Sequence, residues 1–126
     1  MKLKIYQIDA FADKVFSGNP AAVCPLDDWL SDDILQKIAM ENNLSETSFY
    51  VKQENQFEIR WFTPTTEVDL CGHATLATAF VLFNYDNHSE NLIRFYSPRS
   101  GILTVTKTGD LLNMNFPSDS IIKIEL

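Results

Sequence analysis

Cys71, Gly72 and His73 stand together where the segment VDLCGHATLAT (68–78) turns into a run of small and apolar residues that reads as a helix. A helix start leaves backbone N–H groups without partners and carries the positive end of the macrodipole, so it attracts anions. Gly72 allows a carboxylate to approach the backbone closely, with His73 beside it, and a small acidic ligand is the expected occupant. Glu46, in the segment LSET, lies between an amphipathic helix and a strand, an element end of the kind from which rigid scaffolds display functional side chains. General acid/base work by such a carboxyl near neutral pH calls for burial or a neighbouring anion. From position alone Glu46 reads rather as a solvated residue at a strand start, since most lone carboxylates lie on the surface. His73 has its own bland alternative, a core imidazole whose tautomer is fixed by a backbone carbonyl.

Cys71 supports a rival mechanism, because a thiolate at a helix N-terminus is favoured by the dipole. The other cysteine, Cys24, falls in an apolar strand and reads as a buried structural thiol. The two have no metal-ligand spacing and are too few for a disulfide scaffold, so reduced thiols and no bound metal are expected. Asn19, between Gly18 and Pro20, is a binding candidate, although a tight turn explains the same tripeptide. Ser45 and Thr47 are placed to bond locally and orient Glu46. Glu67 and Asp69 read as solvating the loop after Pro64, and His88 as a surface histidine.

The elements that must position these groups alternate along the chain. A first strand is expected over 3–9 and a short second one over 21–24, separated by the turn-rich DKVFSGNPAAV. Ser31 reads as an N-cap, Asp32 and Asp33 suit the first turn, and Ile34, Leu35, Ile38 and Ala39 form the apolar face of a helix ending near Asn42 or Asn43. Strands over 47–52 and 57–62 form a hairpin; Phe57, Ile59 and Trp61 alternate with Glu58 and Arg60, which leaves one side solvated. The segment 74–83 is apolar all round and is expected to be a buried helix. Strands over 92–96, 102–107 and 111–116 follow, the last two joined through Gly109 and Asp110. The expected fold class is α+β: a strongly curved mixed sheet wrapped around a central helix, with one outer helix.

The 126 residues suit a single domain, 1–126. A net charge of -7 and the lack of any Lys/Arg cluster argue against nucleic-acid binding. No segment is long and apolar enough to span a bilayer, and the start, MKLKIYQIDAF, lacks a signal-peptide pattern, so a soluble, cytoplasmic chain without membrane partners is expected.

Three motifs in the same order, GNPAAV (18–23), ENNLSETSFYV (41–51) and RWFTPTTEVDLCGHATLATA (60–79), resemble the PhzF-like family of phenazine-biosynthesis proteins, which share the diaminopimelate-epimerase fold. The resemblance covers nearly the whole chain but only the N-terminal half of the family protein, which is built from two pseudo-symmetric halves with the active site in the cleft between them. It implies isomerisation without a cofactor, a proton being taken from a small carboxylate substrate and returned at another position or face. It places Glu46 as the acid/base, and Gly72, His73 and Asn19 against the substrate. Cys71 looks similar to one of the paired thiol bases of racemases of the same broad fold, and ranks as the alternative base. The half-length match further implies a homodimer, or pairing with a separate second-half chain, to complete the cleft. The alternative from a different class is a catalytically idle, truncated half that acts as a binding or assembly module.

Overall fold

The computed structural model describes residues 3–8, 20–86, 88–109, 111–115 and 121–125, the last segment as backbone only. Strand β1 (Tyr6–Ile8) and β2 (Ala21–Leu26) precede helix α1 (Asp32–Asn42); β3 (Glu46–Lys52), β4 (Phe57–Phe62) and β5 (Glu67–Val68) precede helix α2 (Gly72–Asn84). Strands β6 (Leu92–Ser97), β7 (Gly101–Thr108), β8 (Leu111–Asn115) and β9 (Ile121–Glu125) complete the order. All nine join one mixed sheet in the order β1-β2-β3-β4-β6-β7-β8-β9, with β5 paired to β4 beside this path. The two parallel contacts, β2 with β3 and β4 with β6, are each bridged by a helix, while the remaining neighbours are antiparallel.

That connectivity fixes which side each helix takes. Crossovers between parallel strands are right-handed almost without exception. Both crossovers step the same way along the sheet, yet β3 and β4 are antiparallel, so the two strand pairs point in opposite directions. One handedness then sends α1 and α2 to opposite faces. The core divides accordingly: Leu35 and Ala39 of α1 share one cluster with Cys24, Leu26, Phe49, Val51 and Phe62, and the apolar residues of α2 share the other with Val23, Tyr50, Ile59, Trp61, Phe95, Val105 and Met114.

Helix α2 also curls the sheet. It contacts β2, β3 and β8, and β2 and β8 are five strand spacings apart, roughly 24 Å in a flat sheet. A helix roughly 10 Å across reaches both only if the sheet wraps around it. The expectation of a buried central helix is met: Ala74 through Ala79, Val81 and Leu82 are all buried.

The outer helix begins as expected, with the Ser31 hydroxyl accepting from the Ile34 N–H at 3.3 Å, and Asp32 and Asp33 in the first turn. It stops at Asn43, which takes the left-handed conformation at φ 51 and donates its N–H to the Ala39 carbonyl. Asn tolerates that conformation better than other residues with a Cβ. Ile34, expected on the apolar face, is 39% exposed; Leu35, Ala39 and the half-buried Ile38 make the contact instead. The outer side of β4 is also less solvated than its alternation suggests, since Arg60 lies over the rings of Trp29 and Phe62. Strands β5 and β9 have no counterpart in the sequence reading. Glu46, expected just before its strand, is the first residue of β3.

Replacing Leu76, fully buried in the middle of α2, by Ala should cost about 2–5 kcal/mol of unfolding free energy. Ile34→Ala should change it by no more than about 0.5 kcal/mol. Urea titrations of both variants followed by circular dichroism check this, and equal losses would contradict the assignment of α2 as the central core element.

Candidate active site

Strand β3 turns alternate side chains to opposite faces. Thr47, Phe49 and Val51 face the α1 side, whereas Glu46, Ser48 and Tyr50 face α2. Each of these three meets a polar partner in or just beyond that helix. Glu46 meets His73, the Ser48 hydroxyl bonds that of Thr78, and the Tyr50 hydroxyl donates to Asp86 at 3.2 Å. Two residues advance a strand by roughly 6.6 Å, and the five from His73 to Thr78 advance a helix by roughly 7.5 Å. The first two contacts therefore sit in step, and the buried Ser48–Thr78 pair fixes the height at which Glu46 meets the start of α2.

At that start the His73 Nε2–H donates to the Glu46 carboxylate at 2.6 Å. The two side chains are 20% and 18% exposed, so the pair is sheltered yet reachable from solvent. On the other edge of the imidazole, Nδ1 lies 3.9 Å from the Cys71 sulfur. Cys71 is buried, and burial pushes its thiol up to about 12; the nearby Glu46 carboxylate adds to the rise, and the backbone N–H groups of Ala74 and His73 offset part of it. With the thiol protonated, S–H faces Nδ1 and Nε2–H faces Glu46, a tautomer assigned from the partners. The first bond of the helical ladder runs from the Thr75 N–H to the Cys71 carbonyl at 3.1 Å, so the N–H groups of Gly72, His73 and Ala74 precede the ladder at the positive end of a helix 13 residues long.

Glu46 and the consecutive residues Cys71, Gly72 and His73, distant from it in sequence, thus converge on one point at the rim of the sheet. Asn19 lies outside the described residues. Cys24 does not converge: it is on the α1 side of the sheet, is fully buried and has a thiol likewise pushed up to about 12 by burial. Ser45 is exposed, and the Thr47 hydroxyl accepts from Asn42 on the other face, so Thr47 does not bond to Glu46. His88, expected at the surface, is half-buried against the rings of Phe57 and Phe83 and bonded to the Leu92 carbonyl at 2.9 Å.

Glu67, expected to be solvated, instead takes both Nε and Nη2 of Arg60 at 2.8 Å. This bidentate pair ties β5 to β4 and so delivers the chain to Cys71. Arg60 also reaches Asp32 at 3.0 Å, and Arg99 reaches Asp69 at 2.9 Å. Glu67, and after it Asp32, hold the Arg60 guanidinium above its ordinary value against the opposing effect of burial. The sequence signal that could have exposed the pairing is the strand-like spacing of Arg60 and Glu67 on either side of the Thr63–Thr66 turn. The Thr63 N–H closes that turn on the Thr66 carbonyl at 2.8 Å.

Two cavities lie elsewhere. One of about 640 Å³ is at the far end of α2, around Leu82, Asp86 and His88, and one of about 440 Å³ surrounds Trp29, Arg60 and Arg99. Neither includes Glu46 or His73. Among the described residues, no helix is long and apolar enough to cross a membrane.

Comparison with known proteins bears on the family and the fold. The chain is 58% identical over 118 residues to an uncharacterized isomerase of Pseudomonas aeruginosa, covering 94% of this chain and 45% of that protein. It is 46% identical to the human phenazine biosynthesis-like domain-containing protein, covering 93% and 43%. The crystal structure of a PhzF-family phenazine biosynthesis protein from Enterococcus faecalis superposes with a TM-score of 0.83 at 54% identity, covering 90% and 44%. That of a putative PhzC/PhzF protein from Clostridium difficile does so at 0.82 and 50%, covering 99% and 48%. A predicted epimerase of P. aeruginosa, at 23% identity and a TM-score of 0.68, shares the fold. The chain spans about half the length of these relatives, and residues 8–123 match the family described as phenazine biosynthesis-like protein. With the curled sheet, the central helix and the two motifs that meet at its start, this chain belongs to the phenazine biosynthesis-like, or PhzF, family.

Proposed function

We propose that this chain forms one wall of an isomerase site in which Glu46 moves a proton on a small carboxylate substrate. The observation that carries the reading is the sheltered Glu46–His73 pair beside the N-terminus of α2. In the proposed step the Glu46 carboxylate takes a proton from a substrate carbon and becomes a carboxylic acid. The electron pair of the broken C–H bond delocalises towards the substrate's carboxylate or an adjacent unsaturated carbon, and the same proton is then returned at another position or face. The backbone N–H groups around Gly72 hold the substrate carboxylate, where the dipole also stabilises the charge that develops. His73 holds the Glu46 carboxylate in place through its Nε2–H hydrogen bond. The family resemblance adds Asn19 as a further candidate for substrate contact. No cofactor is required. Because the pair opens at the rim, the facing wall is supplied by a further polypeptide segment, either more of a longer chain or a second copy.

Burial of Cys71 disfavours the thiol as the base, and Cys24 on the opposite face supplies no second thiol.

Glu46→Gln should lower the incorporation of solvent deuterium into a responsive small carboxylate by at least about 100-fold with an unchanged circular dichroism spectrum. Mass spectrometry on a panel of hydroxy, amino and unsaturated acids provides the readout. Full exchange in the variant would remove Glu46 from the mechanism. Carboxylates that raise the melting temperature of the unmodified chain without any exchange would instead identify a binding module. Light scattering during the same experiments should show exchange to follow the dimer, if two copies build the cleft; exchange at full rate by a monomer would dispose of that arrangement.

The thiols give a pH-dependent expectation. Folding raises the pKa of Cys24 and Cys71 above the free-thiol value of roughly 8.5, so the stability conferred by keeping them protonated is complete below that value. It drains away as pH rises towards about 12. Iodoacetamide at pH 8 should accordingly modify the native chain far more slowly than the urea-unfolded one. Rapid modification of native Cys71 would restore the thiol as a candidate base.

A further inference from the structure

Glu46, Cys71 and His73 also make a donor set of a kind that the proton-transfer reading does not use. One donor atom from each lies within 4.8 Å of the other two, a carboxylate oxygen, a thiol sulfur and a ring nitrogen. In a tetrahedral zinc site, metal–sulfur bonds near 2.3 Å and metal–nitrogen or metal–oxygen bonds near 2.0–2.1 Å separate the donors by roughly 3.3–3.6 Å. Here Nε2 of His73 lies 2.6 Å from the Glu46 oxygen, whereas it is the other ring nitrogen, Nδ1, that lies 3.9 Å from the Cys71 sulfur; with one ring nitrogen as the ligand, the three donor atoms still lie within 4.8 Å of one another. A single nitrogen binds the ion, so the Glu46 contact must open and the wider separations must close, by at most about 1.5 Å, which side-chain rotation can provide. The carboxylate and imidazole are partly exposed, which gives an ion a way in, whereas Cys71 is buried and closes the inner side.

We propose that Glu46, Cys71 and His73 form a three-ligand site for a borderline-soft divalent cation of the zinc class. The fourth position faces the rim and takes water or a ligand carboxylate. Thiolate, imidazole and carboxylate together favour such an ion over magnesium or calcium, which prefer all-oxygen sets. The cation binds His73 Nε2 in place of its proton, which is released to solvent, and the Cys71 thiol passes its own proton to Nδ1 as the sulfur coordinates, so the imidazole stays neutral. Sequence spacing conceals this site: Cys71 and His73 are two apart at a helix start, and the third ligand comes from a different strand. An ion bound here occupies the lone pairs that Glu46 needs for proton transfer, so the site would be inhibitory if Glu46 is the acid/base. That consequence rests on the proposed function; the binding itself does not.

Cobalt(II) is the probe, added to the full reduced chain in the absence of any carboxylate. One equivalent should produce a thiolate-to-cobalt charge-transfer band and intense visible bands of tetrahedral cobalt, both removed by excess zinc. The charge-transfer band should vanish in Cys71→Ser and in Cys71→Ala and persist in Cys24→Ala. Glu46→Gln and His73→Gln should each weaken cobalt affinity at least about tenfold. Absence of the band from the folded unmodified chain, its survival in both Cys71 variants, or only the weak spectrum of octahedral cobalt would overturn the proposal. Deuterium exchange on a small carboxylate, measured separately without metal, keeps failure of this site distinct from failure of the catalytic reading.

Discussion

Everything in this molecule is arranged around the burial of α2. A helix without a polar face has no stable place on a surface, and the strands answer by curling until one concave face covers it. The apolar area removed from water supplies the driving force, at roughly 25 cal/mol for each Å². The consequence for function is geometric. A helix enclosed in this way cannot slide without opening its core, so its N-terminus, with Cys71, Gly72 and His73, is held at a set position on the rim. The Ser48–Thr78 bond then sets the register of β3 against it, and Glu46 arrives opposite His73 because it lies two residues before Ser48 on the same face.

Much of this was legible in the sequence wherever a periodicity or a cap had a single physical meaning. The uniform apolarity of 74–83 pointed to a buried helix, Ser31 to a helix start, and the alternation of Phe57, Ile59 and Trp61 to a half-buried strand. The failures share another character. Ile34 fits the helical stripe on paper, but α1 lies on a sheet already filled by Phe49 and Phe62, and only a narrow face centred on Leu35 and Ala39 is covered. The β5 segment is two residues long and is held by an ion pair, so no hydrophobic repeat betrays it. His88 occupies a polar stretch of sequence, yet the rings that receive it come from β4 and α2. The site itself was visible as two separate motifs through family resemblance. Their meeting was not visible in spacing, because 27 residues separate Glu46 from His73.

The choice between carboxylate and thiol turns on where each side chain lies relative to the rim. A helix N-terminus favours a thiolate, and that consideration alone would select Cys71. Desolvation acts in the opposite direction and is the larger effect here, because the sulfur faces the enclosed side while the carboxylate of Glu46 bears on the thiol from nearby. Glu46 keeps contact with both solvent and imidazole. One local field therefore has different consequences for two neighbouring groups according to their depth.

Placement of that rim depends on polar contacts outside the core. Arg60 joins β4, β5 and the start of α1 through Glu67 and Asp32, with its guanidinium over Trp29 and Phe62. Arg99 reaches Asp69, on the short stretch between β5 and α2. A planar, forked donor suits this junction, since two parallel bonds to Glu67 fix direction as well as distance, which a lysine's point charge would not. The hydrophobic core thus determines that α2 is enclosed, and the charged junction outside it determines the direction from which the chain enters the helix. Both constraints are needed before a histidine and a glutamate from distant parts of the sequence can share a proton.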